Sequence, residues 1–333
     1  MRKFCVVISI IILSLSIFLR NGETQVQKKS MEKIQTLKFG VFSKGFYGLA
    51  PLYAAIEKKY MEEEAIEVEF VQLLTPQLIQ AIATVQVEVG VGSLPNPIYA
   101  IANGVPIKFI AAANIIPPNR PYENILVRKG SGIHKIEDLR GKKIAVGSRR
   151  SWPGIMMAYY LKKHNVSLAD VSFVEGIPLP QQKQAFEMGQ IDAAYSGEPF
   201  VTMMVKSNVA EFLPIQDPWF GVNNFICVSD SYLKRNPDVI KRFLKAYVKG
   251  IRYVLDNERD SRKIIAKYAG LSEDITMSMK FGRWTSVWNR NGNIDIEGLK
   301  QFQKMMKELG FLEKEIEVNK NVDESFLPRL SIE

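Results

Sequence analysis

The sequence predicts an α/β protein of two similar lobes, and three observations lead to this prediction. Short apolar segments alternate with segments of helical spacing from residue 36 onward, as in βαβ units with a mostly parallel sheet. The same alternation begins again near residue 123. Two segments, QVEVGVGSLP at 86–95 and QIDAAYSGEP at 190–199, also align without gaps. Each ends a helix, forms a strand and finishes in a turn before proline, so we expect equivalent loops in two lobes.

Periodicity assigns the elements of the first lobe. Apolar runs or alternation predict its strands, and apolar positions three and four residues apart predict its helices. The predicted strands are 36–42, 66–73, 86–93 and 106–114, and the predicted helices are 49–64, 76–85 and 96–104.

The second lobe repeats this order, and a helical region follows it. Its predicted strands are 123–131, 143–148, 171–177 and 190–197, with helices at 135–140, 152–166 and 180–189. A further strand lies within 212–233, and helices follow at 236–257, 261–270 and 294–312. Trp284 and Trp288 have helical spacing, so we expect them in the core.

The composition and the N-terminus indicate a packed, exported protein. The chain has 333 residues, of which 47% are hydrophobic and 24% charged. This length predicts about two domains, and the apolar content is enough to form their cores without disulfide bonds. Basic MRK, an apolar run over 4–19 and a polar segment are typical of a secretory signal peptide. No small-x-small cleavage site ends the run, so residues 1–22 are either a signal peptide or an uncleaved anchor. We expect a periplasmic or extracytoplasmic location.

Charge and motif content disfavour two other classes of protein. The net charge is +9, but Lys and Arg are interspersed with acids, as on solvated faces, which excludes a nucleic-acid surface. Only His134 and His164 occur, and no HExxH, GxSxG, Walker A or complete GxGxxG motif is present. Cys227, in NFICVSD, is predicted to be a small buried residue rather than a nucleophile. We therefore predict no enzyme activity, no metal and no cofactor.

Five segments together resemble the solute-binding proteins of ABC importers, in the branch of nitrate, sulfonate, taurine and thiamine-precursor (pyrimidine) binders. They are LKFGVF…GLAPLYAAIEKKYMEEEAIEVEFV, AIATVQVEVGVGS, ILVRKGSGIHKIEDLRGKKIAVGS, AFEMGQIDAAYSGEPF and NPDVIKRFLKAYVKGIRYVLDN, which span most of 37–312.

This resemblance implies a periplasmic-binding-protein-like fold, a type II clamshell of two α/β lobes with a hinge. It implies that lobe 1 is 36–126 plus 226–333 and lobe 2 is 127–225, with crossings at Ile125–Arg128 and Asn224–Val228. The implied function is capture of a small-molecule ligand by a monomer, which delivers it to an ABC permease in the cytoplasmic membrane. A ligand-sensing receptor domain is an alternative. A pyrimidine-synthase-like enzyme is another, although the cysteine-rich motif of that synthase has no match here.

The ligand cleft is expected at the loops that follow the carboxyl ends of the strands. The candidate ligand-binding residues of these loops are Lys44, Phe46, Tyr47, Thr75, Ser93, Leu94 and Asn114 in lobe 1, and Ser148, Arg149, Arg150, Ser151, Trp152, Tyr195 and Glu198 in lobe 2.

These residues leave two ligand classes open. Arg149 and Arg150 precede a helix N-terminus, and together they are typical of a clamp for a sulfonate or another oxyanion, unless both are solvated. Glu198 either faces an amine or ring N–H of a ligand or pairs with one of these arginines. Aromatic residues in four of the loop positions favour a heteroaromatic ligand. The sequence predicts that Trp152→Ala and Arg149→Ala weaken binding.

Overall fold

The computed structural model describes residues 34–116, 125–215, 219, 221–281 and 283–328. The chain from Gln35 onward forms one compact unit. The predicted signal peptide or anchor at 1–22 lies outside the described residues. Among the residues described, no helix combines the length and the apolar character that crossing a membrane requires.

Ten strands lie in the described part of the chain. They are β1 Gln35–Val41, β2 Ile66–Gln72, β3 Val89–Ser93, β4 Ile107–Ile116, β5 Ile125–Arg128, β6 Lys143–Gly147, β7 Ser172–Glu175, β8 Ala193–Tyr195, β9 Ala210–Phe212 and β10 Gly221–Ser229.

The α-helices of the described residues connect and cover these strands. They are α1 Ala50–Glu57, α2 Tyr60–Glu63, α3 Thr75–Ala83, α4 Asn96–Ala102, α5 Trp152–Lys163, α6 Gln182–Glu187, α7 Phe200–Lys206, α8 Asp230–Arg235, α9 Pro237–Asp256, α10 Glu258–Ala269, α11 Glu273–Ser278, α12 Ile296–Glu308 and α13 Val318–Asn321. Five short 3₁₀ helices accompany them: Tyr47–Leu49, Ile136–Leu139, Leu168–Asp170, Leu179–Gln181 and Trp284–Ser286.

The strands form two five-stranded sheets of the same topology, as the predicted two-lobe α/β fold requires. The first sheet has the order β2-β1-β3-β10-β4, and the second has the order β7-β6-β8-β5-β9. Within each sheet, one strand is antiparallel to both of its neighbours: β10 in the first and β5 in the second. Each of these two strands is the first that the chain forms after it passes from one sheet to the other, and each runs in the direction opposite to its neighbours.

The two matching sequence segments form equivalent parts of the two sheets. β3 and β8 occupy the same position in the strand order. The turns that follow them contain the cis peptides Leu94–Pro95 and Glu198–Pro199, and each leads into a short helix, α4 or α7. The ten-residue match therefore reflects a structural repeat.

The segments that the sequence predicts as crossings each form a strand of one sheet. Residues Ile125–Arg128 form β5, which pairs with β8 and β9 of the second sheet. Residues Asn224–Val228 lie inside β10, which pairs with β3 and β4 of the first sheet. Each strand thus belongs to one sheet. We propose crossings that precede these strands, with one lobe formed by 35–116 and 221–328 and the other by 125–215.

Several element boundaries also differ from the periodicity. The predicted helix 49–64 is divided into α1 and α2, because Lys59 has a positive φ of 63° that no α-helix accommodates. The predicted strand 86–93 pairs only from Val89 onward. The segment 135–140 forms a single 3₁₀ turn rather than an α-helix.

Successive side chains of a strand point to opposite faces of its sheet. In β10, Ile226 belongs to the core beneath α1 and α9, whereas Cys227 belongs to the core beneath α3 and α12. The core beneath α3 and α12 continues along one face of the second sheet, so it contains side chains from both lobes. Trp284 and Trp288 are 5% and 3% exposed, which confirms their predicted place in the core.

The helix α9 lies close against α1 at Gly250. A Cβ at position 250 would overlap the backbone carbonyl oxygen of Pro51 and touch Ala55. The two helices therefore approach more closely than any residue larger than glycine permits.

We predict that Gly250→Ala destabilises the protein despite the better helix propensity of alanine. The propensity gain is about 1 kcal/mol, whereas overpacking against rigid backbone costs about 1–3 kcal/mol. Denaturant unfolding measures the difference. Gly197→Ala is the matched control, since a Cβ there meets open space. A Gly250→Ala variant as stable as the wild type would contradict the close approach.

Cys227 is the free cysteine of the described residues, and its side chain is fully buried. Burial raises the pKa of its thiol to about 12. Because the thiolate is the reactive form, we predict that iodoacetamide at pH 8 leaves Cys227 unmodified in the folded protein and alkylates it after denaturation. Peptide mass mapping checks this. Rapid alkylation of native Cys227 would contradict its assignment as a packing residue.

Candidate functional site

Three neighbouring strands place polar side chains at one edge of the first sheet. Asn224 of β10 lies opposite Ser93 of β3 and Asn114 of β4. Asn224 Nδ2 donates a hydrogen bond to Asn114 Oδ1 at 2.9 Å, and Asn114 Nδ2 donates to Tyr47 Oη at 3.3 Å. Asn224 is 2% exposed, yet its Oδ1 accepts no hydrogen bond within the described part of the chain. A buried acceptor without a partner indicates a place for a donor.

The loop after β1 approaches this edge closely. Tyr53 Oη donates a hydrogen bond of 2.6 Å to the carbonyl oxygen of Lys44, which anchors the loop to α1. A Cβ at Gly48 would lie 2.8 Å from Asn114 Oδ1, so only glycine lets the loop pass. The ring centroids of Phe46 and Tyr47 lie 5.2 Å apart, and the two rings form an aromatic wall.

A loop from the C-terminal region completes the first-lobe side. The Arg262 guanidinium donates hydrogen bonds to the carbonyl oxygens of Thr276, at 2.5 Å, and Met279, at 3.0 Å. It also lies 5.3 Å from the ring centroid of Phe281. The Phe281 ring is in turn 4.8 Å from that of Tyr47. Arg262, only 9% exposed, thus fixes the loop that carries Phe281 to the site.

Glu198 lies in the turn after β8 and joins the two lobes. Its carboxylate, in a residue that is 4% exposed, accepts hydrogen bonds from Thr202 N at 3.1 Å and Thr202 Oγ1 at 3.0 Å. It also accepts one from the backbone N–H of Lys280, in the first lobe, at 3.3 Å. Ser196, two residues earlier, is 1% exposed, and its Oγ has no partner in the described residues. One buried charge therefore meets donors from both lobes.

Trp152, which is hydrogen-bonded to Tyr195 of its own lobe, forms a second contact between the lobes through Phe302. Trp152 Nε1 donates a hydrogen bond to Tyr195 Oη at 3.0 Å, and both side chains are buried. The indole stacks on Phe302 of α12, with 5.1 Å between centroids and an interplanar angle of 17°. Trp152 is therefore as much a packing residue as a wall of the cleft.

The two adjacent arginines, which the sequence predicts as an oxyanion clamp, contact different partners in this structure. Arg149 Nε lies 3.2 Å from Glu175 Oε1. The Arg150 guanidinium stacks over Tyr99 at 4.3 Å and donates to the carbonyl oxygen of Phe311 at 3.3 Å. Burial raises the pKa of Tyr99, and the nearby cation partly offsets this rise. The described contacts of both arginines thus lead away from Glu198.

The N-terminus of α5 is covered by its own preceding loop. Ser151 Oγ donates to the carbonyl oxygens of Val146 and Ser148, at 2.9 and 2.6 Å. A Cβ at Gly154 would overlap the carbonyl oxygens of Ser148 and Arg149, because these oxygens fold back over the first helical turn. Carbonyl oxygens at this position would repel an anion, so the anion-binding role of this loop stays a prediction.

The structure brings some of the predicted site residues together and leaves others apart. Whether any of them binds ligand stays a prediction. Those at the facing edges of the two sheets or in the aromatic wall are Phe46, Tyr47, Ser93, Leu94, Asn114, Trp152, Tyr195 and Glu198. Those on the periphery are Lys44, Thr75, Ser148, Arg149, Arg150 and Ser151, of which Lys44, Ser148, Arg149 and Arg150 are exposed.

Sequence reasoning missed several residues of this site. Asn224 carried a usable signal, since it is a polar residue in the apolar strand VNNFICV. Ser196 carried a signal too, since it lies in the repeated turn. Lys280, Phe281 and Arg262 carried no local signal, because their loop reaches the site only through the tertiary fold.

A separate surface groove of about 500 Å³ lies beside α12 and α13. Half of its lining residues are charged, and they include Lys300, Lys304 and Glu317. Gln303 beneath it is fully engaged, since its amide bonds both the N–H and the carbonyl of Ile316. The groove is therefore a structural feature of the surface. In the residues that the structure describes, no group of three or more His, Cys, Asp or Glu side chains could hold a metal ion.

Known structures share this architecture. The alkanesulfonate-binding protein SsuA from Xanthomonas axonopodis pv. citri, bound to MOPS, superposes with a TM-score of 0.70 at 20% identity, over 87% of this chain and 98% of that one. The periplasmic nitrate-binding protein NrtA from Synechocystis PCC 6803 gives 0.69 at 16% identity, over 89% and 87%. The predicted periplasmic-binding-protein-like fold is confirmed.

Curated relatives include binding proteins and synthases. A protein of Escherichia coli (strain K12) named for the binding of aliphatic sulfonates is 24% identical over 73% of this chain and 75% of its own. The riboflavin-binding protein RibY of Chloroflexus aurantiacus is 23% identical over 62% and 59%. The 4-amino-5-hydroxymethyl-2-methylpyrimidine phosphate synthase THI13 of Saccharomyces cerevisiae is 25% identical over 62% and 63%.

The family described as NMT1/THI5 like matches residues 48–261. This range covers the first lobe from the loop after β1, the whole second lobe and the start of the C-terminal helices. It is more than half of the chain, and it contains both copies of the structural repeat. The protein therefore belongs to the NMT1/THI5-like family.

Proposed function

We propose that this protein is the extracytoplasmic solute-binding component of an ABC importer. It captures a small planar organic molecule with N–H donors between its lobes and delivers it, as a monomer, to a permease in the cytoplasmic membrane. Family membership and the fold of periplasmic binding proteins support the binding role. The signal-like residues 1–22 support export.

The position of Glu198 is the main argument for the proposed class of ligand. Its carboxylate is a pure acceptor in the ionised state, and it lies buried where the two lobes meet. Asn224 Oδ1 adds a second buried acceptor at the facing sheet edge. Two acceptors favour a ligand that donates, such as an amino group or a ring N–H.

The aromatic residues support a planar ligand. Tyr47 and Phe281 form one ring pair on the first lobe, and Tyr195 lies on the second lobe within the turn region of Glu198. Flat side chains around a few oriented polar groups are the usual composition of a small-molecule site. The ring of a heteroaromatic ligand fits such walls, whereas its amino substituents reach the acceptors.

An oxyanion ligand fits this site less well, although some relatives are named for sulfonate or nitrate binding. A sulfonate about 4 Å from an ionised carboxylate would be repelled by about 4 kcal/mol at an effective dielectric constant of ~20. The arginines that could offset this repulsion, Arg149 and Arg150, are engaged with Glu175 and Tyr99. The heteroaromatic alternative is therefore preferred.

We further propose that the protein binds without catalysis. The synthase THI13 of Saccharomyces cerevisiae matches 62% of this chain, but the cysteine-rich motif associated with such synthases has no counterpart in the sequence. Cys227 is buried among apolar side chains and cannot reach a ligand. Recovery of the ligand in unchanged form after incubation distinguishes a binder from an enzyme.

We predict that 4-amino-5-hydroxymethyl-2-methylpyrimidine or riboflavin stabilises the protein against thermal unfolding. A ligand that binds only the folded state adds about 2.7 kcal/mol at a hundredfold excess over its Kd. MOPS, an organosulfonate, is the comparison and should leave the melting temperature unchanged. Stabilisation by MOPS alone would reject the proposed ligand class.

We predict that Glu198→Gln weakens binding of the stabilising compound, with the protein still folded. Loss of a hydrogen bond to a charged group costs about 1.5–3 kcal/mol, which corresponds to a Kd about tenfold to 150-fold higher. Isothermal titration calorimetry measures this change. Glu175→Gln and Arg149→Ala are controls in the same lobe and should keep the wild-type Kd. Loss of affinity in Arg149→Ala with none in Glu198→Gln would restore the oxyanion site.

A further inference from the structure

The two lobes contact each other on both faces of the second sheet, and the two contacts differ in kind. In β6, Ile144 and Val146 face the core beneath α5, whereas Ala145 faces the core beneath α7. Helix α5 contacts the first lobe at α12, and helix α7 contacts it at α11. These two contacts therefore lie on opposite sides of the sheet.

The contact between α5 and α12 is apolar and follows the chain crossing. Trp152 stacks on Phe302, which is fully buried. Trp219, on the connection from β9 to β10, donates its backbone N–H to Tyr160 Oη at 2.7 Å. Its ring lies 6.0 Å from that of Phe302. Separation of the lobes here would expose large aromatic surfaces. It would also strain the segment of chain that connects β9 to β10.

The contact between α7 and α11 is polar and exposed. Lys206 Nζ lies 2.6 Å from Asp274 Oδ2 and 3.1 Å from Ser278 Oγ. The two charged side chains are 40% and 73% exposed. An exposed ion pair contributes little to stability and is screened by salt. Separation of the lobes here breaks this ion pair and the hydrogen bond from the Lys280 N–H to Glu198, whose carboxylate keeps the donors of Thr202.

We propose that the cleft opens on the side of α7 and α11, with the interface of α5 and α12 as the pivot, and that Lys206 with Asp274 sets the rate of ligand exchange. This proposal rests on the proposed binding function. Opening on this side separates Glu198 from the Lys280 N–H and exposes the ring pair of Tyr47 and Phe281 to solvent. The ligand enters and leaves past the ion pair, which acts as a latch.

Two pairs of nitroxide labels test the direction of opening without any ligand. One pair replaces Met203 and Met277, which are 38% and 36% exposed on α7 and α11. The other pair replaces Lys163 and Lys307, at the exposed ends of α5 and α12. All replacements are to cysteine in a Cys5→Ser background, and buried Cys227 stays unlabelled.

We expect the 203–277 distance distribution to broaden and lengthen in 1 M KCl, or when Lys206→Ala is added. The 163–307 distribution should stay narrow under both conditions. A 163–307 distance that lengthens while the 203–277 distance stays constant would overturn the proposed direction. Two distributions that both remain unchanged would overturn the latch.

Exchange kinetics test the second part of the proposal. With 4-amino-5-hydroxymethyl-2-methylpyrimidine as probe, stopped-flow measurements should give association and dissociation rates at least threefold higher in Lys206→Ala. Lys183→Ala is the matched control, since Lys183 pairs with Glu187 on α6 of the same lobe, away from α11. Unchanged rates in Lys206→Ala would reject the latch. If the pyrimidine does not bind, the label distances still decide the direction of opening, so failure of the ligand class and failure of the latch remain distinct.

Discussion

A buried carboxylate must be satisfied by hydrogen-bond donors, and this constraint organises the site around Glu198. A charge that is removed from water without such donors destabilises the folded state by several kcal/mol. Thr202 supplies donors from the same lobe, and the N–H of Lys280 supplies one from the other lobe. The Lys280 loop is held in turn by Arg262. Beside Glu198, the two lobes are therefore joined by a short series of polar contacts.

The repeat of one sheet topology places equivalent turns in the two lobes. In each sheet, the strand that follows a connection between the sheets, β10 or β5, runs antiparallel to both of its neighbours. The two equivalent turns, after β3 and β8, place Leu94 and Glu198 at corresponding positions. One is apolar and one is charged, so the two equivalent turns differ in the chemistry that they place at this position.

Much of the fold and part of the site were predictable from the sequence. The strand and helix periods are set by burial of one face of each element, which local composition records, so most strands and helices agree with the prediction. The loops of the site were predictable because parallel strands end at a common edge. The repeat in the sequence also identified the turn that contains Glu198.

The directions of single side chains were not predictable in this way. Arg149 is held by Glu175, which is 26 residues away, and Arg150 by Tyr99 and Phe311 of the other lobe. The Lys280 N–H reaches Glu198 across 82 residues of sequence. Such contacts depend on how the lobes pack, and adjacent arginines in a loop look the same in sequence whether they bind an anion or a neighbouring surface.

The location of a bound ligand tests the central claim most directly. A crystal structure of the protein in complex with the compound that stabilises it should show the ligand between the lobes, with an N–H group within hydrogen-bond distance of Glu198 and its ring beside Tyr47. A ligand bound instead at Arg149 and the N-terminus of α5, or in the groove beside Lys300 and Lys304, would contradict the account.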